Sequence, residues 1–281
     1  MKRGLLAWPL AAGMVAACGA WLHARGLSPT AAYLATVTVA QVVLRAMESM
    51  RPLRPEWRGR DPGRAHDLAH YALGMCLGQL AAGAVTDALA TPLRAALVRV
   101  WGEAPWPAGW PFAAQLALGV LVAELGLYWQ HRAMHASRWL WRLHAVHHES
   151  ARLDVFKATR QHPVDLALAT VASLVPLVAL GAPGAVAFGV AMLSASLGLL
   201  QHANLALATP AWLDRWVCTP AAHRLHHGRD RRDGERNFGV IVMVYDVLFG
   251  TWSAPRGECP PEVGAPGPGR TLWAEMLGRM R

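Results

Sequence analysis

Apolar residues gather in six long runs, at about residues 5–22, 31–47, 68–90, 113–130, 166–182 and 185–200. Each is close to the ~17–25 residues that cross a bilayer as a helix. Six such runs in 281 residues leave too little polar sequence to clothe a water-soluble core. The pattern therefore predicts an all-α integral membrane helical bundle of about six spans. Pro176 falls inside the fifth run, where it kinks a helix, and Gly181, Pro183 and Gly184 make the turn into the sixth. That hairpin starts just after His162-Pro163 and ends at His202, so it returns the chain to the face it left. The first run follows Lys2 and Arg3; it reads as a retained helix rather than a cleaved signal.

The polar segments between the runs give the orientation. Arg51, Arg54, Arg58, Arg60 and Arg64 lie between the second and third runs. Arg132, Arg138, Arg142, Arg152, Lys157 and Arg160 follow the fourth, and a further basic set from Arg215 to Arg236 follows the sixth. With six spans these segments share one side, which the excess of Lys and Arg makes cytoplasmic. The expected location is a bacterial inner or plasma membrane. A net charge of +9 then reflects loops lying against anionic lipid. No nucleic-acid recognition module is present, so a nucleic-acid partner is not expected. Hydrophobic residues make up 54% of the chain and charged residues only 16%, which agrees with a membrane solvent. Cys18, Cys76, Cys218 and Cys259 show no ligand spacing, and so predict neither a disulfide framework nor a thiolate metal site.

Ten of the thirteen histidines cluster beyond the apolar runs. His131 and His135 form HRAMH, His144, His147 and His148 form HAVHH, and His223, His226 and His227 form HRLHH. His162 (RQHP) and His202 (QHAN) lie between the clusters. Residues at i, i+3 and i+4 project from one face of a helix, so each cluster offers several imidazoles to a metal. Eight such nitrogens exceed the needs of one ion and suit two. A cytoplasmic helical cap is expected to carry them. Imidazole suits Zn, Cu, Fe and Ni alike. HRAMH lacks the Glu of the HExxH zinc proteases, and thiolate ligands are missing. Two ions, each with four or five neutral nitrogens and an open position, could activate dioxygen, although spacing alone does not establish this. His66 and His70 (HDLAH) also have helical ligand spacing but lie far upstream.

Two carboxylates stand out because an ionisable group in an apolar run is expensive. Glu124 lies two helical turns before His131; it reads as a carboxylate accepting a histidine N–H, or as a helix-to-helix hydrogen bond. Asp246, in VYDVLFGTW, reads as orienting a ligand or pairing with an arginine.

The ordered set YWQHRAMH, LHAVHHES, RQHP, QHAN, HRLHH and NFGVIVMVYDVLFGTW resembles the fatty acid hydroxylase/sterol desaturase superfamily of membrane-bound, histidine-rich di-iron oxygenases, over roughly residues 67–252. The resemblance implies a non-haem di-iron enzyme that hydroxylates a C–H bond of a lipid, fatty acyl, sterol or related, with O₂ and external electrons. A desaturase with the same site is the nearest alternative. It implies His131, His135, His144, His147, His148, His223, His226 and His227 as metal ligands, with His202 completing one shell. Asn204 would hold a bound water and His162 would form part of the site wall. Two Fe ions are expected, with Zn as a substitute in purified protein.

No HPGG haem-binding segment or dinucleotide fingerprint is present, so electrons would come from a separate ferredoxin- or cytochrome-type donor. Arg229, Arg231 and Arg232 offer such a carrier a docking surface, or simply follow the membrane-sidedness of charge. A membrane metal-binding or transport protein is the rival of a different class, but transport favours ligands at mid-membrane depth, whereas these lie at run ends. The expected organisation is a two-span segment with a basic loop (1–64), a hydroxylase-like catalytic membrane domain (65–252) and a flexible Pro/Gly-rich tail (253–281), with a short amphipathic turn over 271–281.

Overall fold

The computed structural model describes residues 7–207, 209–265 and 271–277. Among these residues there is no strand, only three isolated bridges. The order is α1 (Ala7–Ala24), α2 (Pro29–Met50), α3 (Arg64–Leu73) and α4 (Gln79–Trp101), then α5 (Phe112–Ala136) and α6 (Arg138–His148). Next come α7 (Pro163–Leu180), α8 (Gly184–His202), α9 (Pro220–His226), α10 (Arg231–Gly234), α11 (Val244–Leu248) and α12 (Leu272–Met276).

Five helices among the described residues are long and apolar enough to cross a membrane. They correspond to the second to sixth apolar runs. The first run forms α1, which is not among the five and packs against α2 and α8. The third span is longer than its apolar run: α3, a wide turn over Gly74–Gly78 and α4 form one helix of 38 residues. At 1.5 Å per residue that is about 57 Å, nearly twice the ~30 Å hydrocarbon layer. Its buried positions Gly74, Gly78, Ala82, Thr86 and Ala90 recur every fourth residue. This strip of small side chains lets α4 lie closely against α7, the packing that works where lipid supplies no hydrophobic drive. A Cβ on Gly78 would meet the Pro163 carbonyl, and one on Gly126 of α5 would run into the Ala172 carbonyl of α7. Large apolar side chains such as Val42, Leu80, Leu89 and Leu125 stay exposed around this bundle. They suit a hydrocarbon solvent.

The described part of the Pro/Gly-rich tail makes backbone contacts with the histidine helices. The Ala265 N–H donates to the His148 carbonyl, Gly264 to His227, and Arg229 to Glu262, so the described residues up to 265 strap the histidine helices. The short turn expected over 271–281 appears as α12, capped by Thr271. Residues 266–270 and 278–281 of that tail lie outside the described residues.

Candidate metal centre

The nine histidines nominated as ligands converge at one end of the bundle. His131 and His135 occupy the last turns of α5, and His202 ends α8. His144, His147 and His148 come from α6, and His223, His226 and His227 from α9 and its cap. Their donor atoms fall into two groups, each within 4.8 Å of one another: His131, His135, His144, His148 and His226, and His147, His202, His223 and His227. Each HxxHH motif is thus divided rather than presented on one face. α6 gives its i, i+4 pair to the first group and His147 to the second, and α9 does the reverse. The two groups adjoin where His148 and His227 stack, ring centroids 4.3 Å apart.

Five of the rings are oriented through Nδ1. His131 donates to the Phe238 carbonyl (2.7 Å), His144 to Asp165 Oδ2 (2.8 Å) and His147 to the Arg160 carbonyl (3.2 Å). His202 donates to the Gly198 carbonyl and His226 to the Arg236 carbonyl, both at 2.7 Å. A proton held on Nδ1 leaves Nε2 as a bare lone pair. These Nε2 atoms face one another. His202 Nε2 lies 3.2 Å from those of His147, His223 and His227, and His131 Nε2 lies 3.1 Å from that of His144. Nε2 of His135, His148 and His226 is buried without a partner. Converging lone pairs and orphaned buried nitrogens repel or waste desolvation unless a cation sits among them. The donor set fits metal ions.

Burial, reinforced by the neighbouring imidazoles, holds His144, His147, His148, His223, His226 and His227 well below their ordinary 6.5. They are therefore neutral, as ligands must be. In metal-free protein the unfolded chain takes up these protons near pH 6.5 and the folded chain only well below it, so stability rises with pH across that window. Metal-free protein should be fully stable above about pH 6.5 and lose stability as the pH falls below it. A melting series from about pH 8 to about pH 5 checks this, and a flat or inverted profile would refute it.

The other nominated residues lie one layer out. Glu124 accepts no histidine N–H; it takes the backbone N–H groups of Val240 (2.6 Å) and Ile241 (2.8 Å). Asp246 takes those of Phe238 and Gly239 and the Thr251 hydroxyl, not an arginine. Both carboxylates pin the loop whose Phe238 carbonyl orients His131. Asn204 is turned from the centre, bonding the backbone of Arg54 through both ends of its amide. His162 caps α7 by accepting the Val164 N–H and donates to the Met276 carbonyl; it lies outside both histidine groups and is not among the residues lining the cavity. His66 and His70 stay outside both groups and bind Glu275 instead. Sequence reasoning passed over Asp165, whose only signal was a carboxylate three residues after His162 in the opening turn of an apolar run.

A cavity of about 530 Å³ reaches the centre, touching His131, His144, His147, His202 and His223. It follows one face of α8, past Gly198, Ala195, Ala191, Ala187 and Gly184, to exposed Pro29 and Thr30. The 19 residues of α8 span about 28 Å, close to the thickness of the hydrocarbon layer. Three hydroxyls in its wall are spent on backbone carbonyls, Thr159 on Phe156, Thr170 on Leu166 and Ser173 on Thr170, and aliphatic side chains and alanines make up most of the remaining lining.

Fold and site together define a helical membrane protein with two adjoining groups of buried histidines, able to hold metal, at the end of a mostly apolar cavity. The chain belongs to the fatty acid hydroxylase family: the family's sequence model matches residues 116–251. An ornithine lipid hydroxylase from Rhizobium tropici is 35% identical over 238 residues, covering 84% of this chain and 70% of that one. Alkylglycerol monooxygenases from Danio rerio and Homo sapiens are 31% and 27% identical, over 56% and 53% of this chain. The chain spans about a third of the length of those two relatives (33% and 32%). No solved structure matches it.

Proposed function

We propose that the chain is a membrane-bound non-haem di-iron oxygenase that hydroxylates a C–H bond of a lipid, using O₂ and electrons from a separate donor. The observation that carries this reading is the pair of adjoining groups of neutral histidines at the end of an apolar cavity. His131, His135, His144, His148 and His226 would hold one iron, and His147, His202, His223 and His227 the other, with zinc able to replace them in purified protein. Two irons held there would bind dioxygen and, with electrons from the donor, activate it for attack on an unactivated C–H bond. The chain's own part is to hold Nε2 of each imidazole inward and to seat an aliphatic chain along α8. Burial of the nitrogens keeps bulk water from the reacting carbon.

The substrate enters from the bilayer. The ornithine lipid relative points to an amino-acid-bearing membrane lipid as the first substrate to test. The membrane domain has about six spans counting α1, and its histidine end faces the cytoplasm with the basic segments. A ferredoxin- or cytochrome-type donor docks on that face, where Arg231 is exposed. Desaturation is the second reading, since the same centre could remove a second hydrogen.

Comparing the lipids of cells with and without the gene, aerobically and anaerobically, tests the proposal. The expected result is an oxygen-dependent lipid one oxygen heavier. A loss of two hydrogens would move the assignment to a desaturase. Unchanged lipids with altered metal flux would overturn it in favour of a transporter.

A further inference from the structure

Beside the histidines lies a second buried polar cluster. Lys157 is fully buried between Asp61 and Asp67, each 2.6 Å from its Nζ. Arg64 joins Asp67 to Asp154. At the edge of this cluster the Glu275 side chain of α12 receives His70 Nε2 at 2.7 Å and His66 Nδ1 at 3.3 Å. His66, His70 and Glu275 could suggest a third metal site, but Glu275 Oε1 is also taken by the Arg160 guanidinium at 2.7 Å. Burial alone would push the Glu275 carboxyl up; His70 and Arg160 outweigh it and hold it below its ordinary value. The carboxylate is therefore charged, held by His70 on one oxygen and by Arg160 on the other.

Arg160 grips the second histidine group from two sides. Its Nε donates to the Val146 carbonyl at 3.0 Å, and its own carbonyl accepts His147 Nδ1–H at 3.2 Å. The remaining guanidinium nitrogens go to Asp67 (3.2 Å) and Glu275 (2.7 Å). Every nitrogen of a buried, planar fork is thus assigned, which fixes where its backbone carbonyl stands. That carbonyl decides which nitrogen of His147 carries the proton.

We propose that Glu275 is a positioning residue for one of the two metal groups: through Arg160 it locks His147 with Nε2 facing His202, His223 and His227. The C-terminal helix is then part of the metal centre's frame, although it lies beyond the segment that the family model matches. The inference rests on the reading of the nine histidines as metal-holding. Removing the carboxylate leaves a buried guanidinium with one anionic partner fewer, and the fork relaxes along with its carbonyl. Loss of an outer partner of this kind weakens metal binding about 10–100-fold, here at one group only. Among the described residues no ring of the five-histidine group is hydrogen-bonded to Arg160 or Glu275; the one ring bonded to Arg160 is His147.

The test is cobalt(II) titration of full-length, metal-stripped protein in detergent, read by visible absorption and by metal per chain. Wild type is expected to fill two sites of similar strength. Glu275→Ala is expected to keep one and to fill the other about 10–100-fold more weakly, with Glu275→Gln between the two. Glu262→Ala, which removes an exposed pairing with Arg229, should match wild type. A Glu275→Ala protein that melts lower yet fills both sites with wild-type affinity and spectrum would reduce α12 to a structural cover and overturn the proposal. Should the alanine variant fail to accumulate, Glu275→Gln is judged by the same criterion. A wild-type chain that binds no cobalt would instead overturn the reading of the histidines, and this inference with it.

Discussion

Alanine at His226 is expected to lower oxygen-dependent lipid oxidation by more than about 100-fold, the upper end of what losing a mere outer partner costs. His226 is fully buried, and its ring is fixed by the Arg236 carbonyl. Its Nε2 is one of the three orphaned nitrogens of the five-histidine group. The ring lies 4.6 Å from His131 and 4.7 Å from His135, centroid to centroid, so no neighbour can swing in to replace it. His147→Ala should cost as much from the other side, because its group has only four donors. In each case metal per chain should fall together with product, measured by mass spectrometry of membrane lipids and metal analysis of the same preparation. His23, exposed, outside both histidine groups, with its Nδ1 on the Leu27 carbonyl and its ring against Phe188, is the control whose alanine variant should retain metal. Wild-type product from either ligand variant would refute the two-metal reading.

The nine histidines were legible because imidazole at helical spacing is rare and chemically specific, and all nine meet in the structure. Their division between two groups was not. HxxHH places three rings within about one turn, and only the tertiary placement of α6 and α9 sends the i, i+4 pair of each toward opposite groups. Most of what orients them was also silent. Phe238, Gly198, Arg160 and Arg236 act through backbone carbonyls, and every residue carries one. Glu124 and Asp246 were noticed as costly carboxylates, but they accept backbone N–H groups of one loop, far along the chain from Glu124 and just before Asp246, and backbone groups carry no residue signature.

The fold was legible where periodicity and length suffice, as in the second and fourth to sixth runs. The third run gave the apolar part of the Arg64–Trp101 helix but not its full length. Its outer turns are polar enough, through residues such as His66, Asp67 and Arg99, to end a hydropathy window while the backbone continues. Proline and glycine in the tail signalled looseness, yet backbone bonds from residues 264 and 265 tie it to His227 and His148. Composition reports what a segment could not do alone, and these contacts are tertiary.

Asp165 provides the second large expected effect, because among the described residues it is the only carboxylate that accepts a hydrogen bond from any of the nine rings. Its Oδ2 accepts His144 Nδ1–H at 2.8 Å, while Oδ1 accepts the Gln130 amide at 3.0 Å. A carboxylate raises the basicity of the imidazole it holds and fixes its tautomer. Alanine removes both effects and leaves His144 free to place its proton on Nε2, toward His131, where it would displace the metal. Asp165→Ala should therefore weaken metal binding at the five-histidine group and lower product formation, each by about 10–100-fold. Asparagine offers one oxygen for two donors. The Gln130 amide can rotate to accept from the new NH₂ group and free that oxygen for His144, so Asp165→Asn should fall between wild type and alanine. Adding Gln130→Leu to Asp165→Asn should not alter that oxygen's reach but removes the partner that orients it, and the double variant should drop toward the alanine level. Because Asp165 and Gln130 also line the cavity, metal affinity is the decisive readout, being independent of how substrate sits. Full metal affinity in Asp165→Ala would show that His144 keeps its tautomer without the carboxylate.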